Sequence, residues 1–469
     1  MGNALTQKQS TVSVDESASG EELSGASSMT CSTSILKLFE KLELTADEGN
    51  THPGELSRKT FENAFHGPLH KFGKLMFRQM TNSHVERDRI TREEFVTAGT
   101  EIVNKFDVTD QRKYYIKLFA EGKDYLTKED AFQMVHVSYV LTVSVSKISF
   151  KHDDRDVALF EGMVTSMFGI EDRIGFSHTE QWMVTHCPNI FSGVHSWVYM
   201  VLSGSNLPSE MEARTAHVPQ LENFISGQHC LSLGMAWVLS AVLPNSFTHT
   251  TPQPQTSGAQ SNPMLTNFQL YVSLARLPRV QSWALLYNSE RDGLSRNRFS
   301  HHILSYHGHN LTFVGFEGRN LYCLALDCGW KESLQKIGGP DCRLIQLLPV
   351  YRVIQAGSKM VLWNMSSRNL PKGIQVGQDG KPLVLKINDE FESVSHYGVP
   401  CVFHRMEVWG CGGEDVKRAQ VKQKQWEAQE VEKHKSQKLR LEGDWRENPD
   451  KQILEWGGVR TGSSYSEKR

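Results

Sequence analysis

The sequence predicts a multidomain chain of class α + (α+β): a helical front half, then an α+β domain with a β-sandwich core, then a C-terminal helical arm. Three observations carry this. Apolar residues recur at helical spacing from Ile35 to about Leu202. The period changes to strand alternation at Leu311 to Phe316 and Leu321 to Leu326, which flank the turn Glu317-Gly-Arg-Asn320. Glu414 to Glu442 is a nearly unbroken charged run. With 469 residues, 39% hydrophobic content and ten Trp, the chain can bury sizeable cores. The expected divisions are residues 1–34, 35–244, 245–263, 264–413, 414–442 and 443–469.

The first segment opens Met1-Gly2-Asn3-Ala4-Leu5-Thr6, the pattern read by an N-myristoyl transferase once Met1 is removed. Gly2 is therefore the expected lipidation site. Gln7 to Ser34 is rich in Ser, Thr, Glu and Gly and has little to bury, which suits a disordered tether. One acyl chain gives an association constant of about 10⁴ M⁻¹, so a second signal is needed. A basic cluster does not supply it: Lys8 stands among Asp15, Glu16, Glu21 and Glu22. Residence is therefore expected to depend on a protein already at the membrane. Cys31 is either a palmitoylation site or an ordinary thiol.

A net charge of −2 excludes a nucleic-acid binder working through bulk charge. Eight scattered Cys without CxxC pairs read as reduced thiols of a cytoplasmic protein. The most apolar run, Cys230 to Leu243, is stopped by Pro244. It is shorter than the roughly 20 residues a bilayer needs and reads as a buried helix.

In the helical half, Ile35, Leu38, Phe39 and Leu42 mark a first helix capped by Ser34. A weak repeat follows at Leu56-Ser57, Ile90-Thr91, Leu126-Thr127 and Phe176-Ser177, with Glu94, Asp130 and Glu180 three residues beyond the last three hydroxyls. Locally this is a capping box. The copies also resemble the exit halves of EF-hand loops, where an aliphatic residue pairs two loops. The chelating positions fail: counted back, they hold Ser83, Val85 and Arg87; Phe119, Glu121 and Lys123; Gly169, Glu171 and Arg173. The expectation is an EF-hand-like helical region without a calcium site.

Asn245 to Pro263 is a Pro-, Thr- and Gln-rich linker. Beyond it, Leu265 to Leu277 reads as helix, followed by Trp283-Ala-Leu-Leu-Tyr287-Asn-Ser289 and a second helix from Ser295 that buries Phe299, Ile303, Leu304 and Tyr306. Strand-like runs lie at 344–348, 351–355, 361–364, 382–387 and 404–409. The Leu-Leu-Tyr-x-Ser…Gly-x-Ser block at 285–295, the hairpin and Trp330, and the ending Glu407-Val-Trp-Gly410 resemble the TLDc domain, in that order along the chain. The likeness departs at Lys386, where the family's strand carries Trp, and at the shortened segment His396 to Phe403. With the lipidation pattern and the EF-hand-like region ahead, the order resembles the myristoylated, mTOR-associated branch of the family. The resemblance implies binding to the vacuolar proton pump (V-ATPase) and a role in lysosome-linked mTOR signalling.

No hydrolase elbow, metalloprotease, phosphate-loop or dinucleotide fingerprint is present. His301, His302, His307 and His309 with Cys323 and Cys328 fit no zinc spacing, and Asp327, His404 and Glu407 read as strand-end hydrogen-bonding groups. No catalytic residue, metal or cofactor is expected. In the arm, Trp426 is a candidate partner anchor, as are Trp445 and Trp456 in the tail. A solvated helix with no partner is the alternative for the arm.

The functional expectation is a non-enzymatic adaptor. It would sit in the cytoplasm and at the cytosolic face of the lysosomal membrane, with the plasma membrane as a second location. It would be held by the N-myristoyl group, with V-ATPase subunits and mTOR pathway components as partners and no nucleic acid. The rival class is a redox-protective or metal- or cysteine-dependent enzyme.

Overall fold

A computed structural model describes residues 32–45, 53–81, 87–146, 153–204, 217–248, 281–439 and 456. Gly2, Cys31, the run Leu265 to Leu277 and Trp445 lie outside the described residues.

The front half is helical. Helix α1 covers residues 32–44 and buries Ile35, Leu38, Phe39 and Leu42 as its spacing predicts; Ser34 lies inside its first turn rather than capping it. A short strand β1 (Glu55–Ser57) leads into α2 (Arg58–Asn63), followed by α3 (His70–Met80). The same strand-then-helix unit recurs as β2 (Arg89–Thr91) with α4 (Arg92–Val103), and after α5 (Val108–Phe119) as β3 (Tyr125–Thr127) with α6 (Lys128–Val145). After α7 (Asp154–Phe168) it recurs once more as β4 (Arg173–Gly175) with α8 (Phe176–His186). The strands pair antiparallel two by two, with Leu56 opposite Ile90 and Leu126 opposite Ile174.

Thr91 with Glu94 and Thr127 with Asp130 form two of the three expected capping boxes, each partner satisfying the other's orphan backbone amide. The fourth copy differs from its reading. Ile174, not Phe176, faces Leu126, and α8 already begins at Phe176 with no side-chain cap. Pairing across β3 and β4 fixes the chain two residues earlier than the hydroxyl signal at Ser177.

Two very apolar helices complete this half. They are α9 (Ser192–Gly204), buried from Gly193 to Leu202, and α10 (Leu233–Val242), capped by Ser232 within the run read as a buried helix. A strand, β5 (Gln220–Leu221), lies between them. The first residues read as linker are part of the body instead. Asn245–Thr248 forms a short helix α11 with Phe247 fully buried, and Phe247 O accepts from Trp283 Nε1 at 2.9 Å.

The back half is β-rich. Strand β6 (Ser282–Asn288) is followed by short α12 (Ser289–Asp292) and by α13 (Arg296–Ile303), which Ser295 caps. Phe299 and Ile303 are buried as expected, but Leu304 is 39% exposed because the helix ends there. Strands β7 (Asn310–Phe316) and β8 (Asn320–Leu326) form the hairpin, then β9 (Arg343–Leu348), β10 (Arg352–Ala356), β11 (Val361–Asn364), β12 (Gly373–Val376), β13 (Leu385–Ile387), β14 (Ser393–His396) and the long β15 (Val399–Gly410).

The strand order is β10-β9-β8-β7-β15-β14-β13-β12-β11, with β6 on the far part of β15 and β5 parallel to β6. Strand β15 serves both layers. Val399 to Val402 pairs with β14, while Phe403 to Gly410 pairs with β7, with a register shift between Phe403 and Arg405 at the turn from one to the other.

Both faces of the β6–β10 layer are covered. Leu311, Phe313, Leu321, Cys323, Ala325 and Trp409 share one core with the helical half, whereas Val314, Phe316, Tyr322, Leu324, Leu326 and Val408 pack with α13 and the β11–β14 layer. The alternation is the two-residue period of a strand. Close approach of backbones seals the join: Tyr351 N donates to Gly162 O of α7, and a Cβ on Gly162 would stand 2.7 Å from Pro349 O.

Candidate docking surface and the polar seam

The charged run folds as helix α14 (Gly413–Leu439). Its root is tied to the β-rich half. Gly412 N donates to Tyr306 Oη at 2.6 Å, Val416 packs against the second core, and Gln420 Nε2 donates to His302 O at 3.1 Å. Lys417 forms an ion pair with Glu222 of the helical half. The anchored positions 416, 420 and 424 follow one helix face at i, i+4. Burial lowers the Lys424 ammonium's pKa, against the pull of Glu427 and Asp292.

Residues 425–434 are exposed except Glu430, which pairs with Lys433, and Trp426 is 57% exposed. From Lys424 to Leu439 the helix runs about 22 Å at 1.5 Å per residue. Trp456 is 86% exposed. Val421, Trp426 and Val431 are all exposed but sit five residues apart, so they spread around the helix and make no coiled-coil seam.

Of the residues weighed for chemistry, His307, Asp327 and Cys328 line one open cleft, while the others stand apart from it. Asp327, at the end of β8, accepts from Gly339 N at 2.7 Å, Asp341 N at 3.2 Å and Cys342 Sγ at 3.2 Å, so it holds a loop. His404 faces solvent. The His301 and His302 rings stand edge to face at 5.4 Å, while His309 packs on Phe247 at 5.0 Å. Cys323 lies in the core shared with the helices, and Cys328 is half-buried. Among the described residues no group of three or more His, Cys, Asp and Glu could hold a metal ion.

Burial pushes the thiols of Cys230, Cys323 and Cys411 up, and those of Cys187 and Cys342 up to about 12. These are packed thiols, the reverse of the acidified thiolate a redox enzyme uses.

Glu407 has a part that the sequence did not reveal. It is 1% exposed, and Oε2 accepts from Cys230 N at 3.0 Å and Asn288 Nδ2 at 3.2 Å, while Oε1 accepts from Trp409 Nε1 at 2.5 Å. His229 Nδ1 lies 3.5 Å from the same carboxylate. The residue is thus a polar rivet between the loop before α10 and the sheet. Its partners lie 177 and 119 residues away in sequence, and no local signal marks them.

Comparison with known proteins bears on the back half. Residues 260–412 match the TLDc domain. Among curated proteins, the chain is similar to Restriction of telomere capping protein 5 of Candida glabrata, 24% identical over a 288-residue alignment that covers 52% of this chain. The match spans 50% of that yeast protein's length. A helical N-terminal region thus precedes a β-rich TLDc domain at residues 260–412.

Proposed function

We propose that this chain is a non-enzymatic, membrane-tethered adaptor that binds the V-ATPase at the cytosolic face of lysosomal membranes and supports mTOR-linked signalling. The TLDc domain at residues 260–412 supports the family part of this reading. The front half, in this reading, is EF-hand-like: paired strands place aliphatic residues opposite each other, and each strand feeds a helix. The observation that carries the adaptor reading is helix α14. Its root is fastened to both halves of the body, and its outer part presents Trp426 to solvent. A rigid arm with an indole at its side suits a second grip on a large partner. Tether, domain and arm would each raise the effective concentration of the others.

Capture of V-ATPase subunits from solubilised lysosomal membranes tests this with the full chain, a Trp426→Ala variant and a chain ending at Gly413. The full chain is expected to capture the pump. Trp426→Ala should weaken capture at least about tenfold, the loss of one interface hot spot. Equal capture by all three would remove the arm from the account, and no capture by the full chain would remove the pump. In parallel, Gly2→Ala should move the protein from the membrane to the supernatant fraction.

A further inference from the structure

Resting on the EF-hand-like reading, we propose that Arg87 and Lys123 are built-in replacements for a divalent cation, each closing its loop onto the carboxylate that heads the next helix. Lys123 Nζ stands 2.5 Å from Asp130 Oδ2, and Arg87 Nη1 stands 2.8 Å from Glu94 Oε1. The two pairs occupy the same place in their repeats. Each cation comes three residues before the strand-paired aliphatic (Ile90 or Leu126), and each carboxylate four residues after it. In a calcium loop these are the fifth and twelfth positions, whose oxygens meet on the ion. Here the fifth position brings the positive charge itself, on a covalent stem.

Each carboxylate is held for the task. Glu94 Oε2 accepts from Thr91 N and Asp130 Oδ2 from Thr127 N, both at 3.0 Å. The loop before α8 closes by another direct bond, His178 Nε2 to Met167 O at 3.0 Å, here between the twelfth and first positions when counted from Ile174. Three repeats thus tie the twelfth residue back to its loop with no ion between them.

The consequence is a lobe held in one state around its own helix. α9 fills the space a target helix would take, with Trp197 against Phe65 at 5.8 Å and Phe72 at 6.1 Å. The apolar cavity left there measures only about 20 Å³. That is no more than one water's worth of room. The helical half, in this view, neither senses calcium nor opens to release α9.

The full chain is tested by thermal unfolding and hydrogen exchange, in excess EDTA and in millimolar calcium. The wild-type Tm and the protection of α9 should be the same in both. Arg87→Gln with Lys123→Gln should lower Tm by about 1–3 °C and speed exchange across α9. Lys123→Arg, which keeps the cation, should match the wild type. A rise in wild-type Tm or α9 protection with calcium would overturn the proposal. So would a double Gln variant that matches the wild type in both readouts, or a Lys123→Arg variant that behaves like Lys123→Gln.

Discussion

Removing the Glu407 carboxylate tests whether the two halves form one cooperative body. In Glu407→Ala, three buried donors (Cys230 N, Asn288 Nδ2 and Trp409 Nε1) lose their acceptor, and His229 loses the group 3.5 Å away. An unsatisfied buried donor costs about 1–3 kcal/mol. Asn288 can still donate to Gln228 O at 3.5 Å, so its loss is partial. The carboxylate's own burial cost is relieved by the deletion, which sets the net at about 4 kcal/mol. An unfolding entropy of about 2.1 cal/mol/K per residue gives roughly 0.7 kcal/mol/K for a body of roughly 350 residues, so Tm should fall by about 5 °C.

The assay is calorimetry of the full chain, with hydrogen exchange at the peptide containing Cys230. A single transition should shift as a whole, because the helices and one sheet face share a core. Glu407→Gln should lose about half as much, since its amide keeps one acceptor but turns a donor toward another donor. A Tm within about 1 °C of wild type for Glu407→Ala would refute the rivet. A shift confined to one of two resolved transitions would refute the single cooperative body.

Three further outcomes are expected. Gly162→Ala drives a Cβ to 2.7 Å from Pro349 O and should destabilise by about 1–3 kcal/mol, whereas Gly175→Ala, with nothing within 4 Å, should stay within about 0.5 kcal/mol; denaturant titration reads both. Burial lowers the His195 pKa from 6.5 to about 3, where Tyr115 Oη meets Nδ1 at 3.1 Å. The folded chain therefore refuses the proton that the unfolded chain takes. The stability present above pH 6.5 is lost as pH falls toward 3, by up to about 5 kcal/mol, and a His195→Gln variant should show a flatter acid limb. Asp156 has the opposite sign. Burial raises its pKa, so the stability it contributes is full below about 3.8 and is lost as pH rises through its folded value. Asp156→Asn keeps an acceptor for Ser232 and Gly234 and should gain on the wild type at neutral pH but not at pH near 3.8.

What could be read in advance was whatever depended on neighbours within a few residues. The stripe of α1, the two capping boxes, the buried helix after Ser232 and the hairpin about Gly318 all rest on spacings of two to four. Strands β12 and β14 escaped because four residues such as Gly373–Val376 carry too short a period to register, and Ile174 escaped because one apolar residue makes no period at all. Alternation along Leu311 to Phe316 could be seen, but not that its two sets of side chains enter two different cores. That depends on α7 and α10 lying across one face and α13 across the other. Glu407 was noticed only as a strand-end acid, since its role is fixed by residues from other segments.

Coverage of both faces has a consequence for docking. The β6–β10 layer, buried on each side, offers no face to a partner, so in the proposed adaptor docking would use what stands at its margins. Among the described residues, exposed apolar groups of the β-rich half include Tyr397, Val399 and Val402 around the β14–β15 turn, and Trp426 on α14. The turn is built from Gly398 at a φ of 84°, which an L side chain would strain, so its shape is set by the backbone rather than by packing. The arm is set by Tyr306, His302 and Glu222 at its root. A partner that grips both margins would read a distance fixed by two rigid supports. Replacing Gly412, whose Cβ would meet Tyr306 Oη and Val416 at 2.9 Å, should tilt the arm and spoil that grip while leaving Trp426 itself intact.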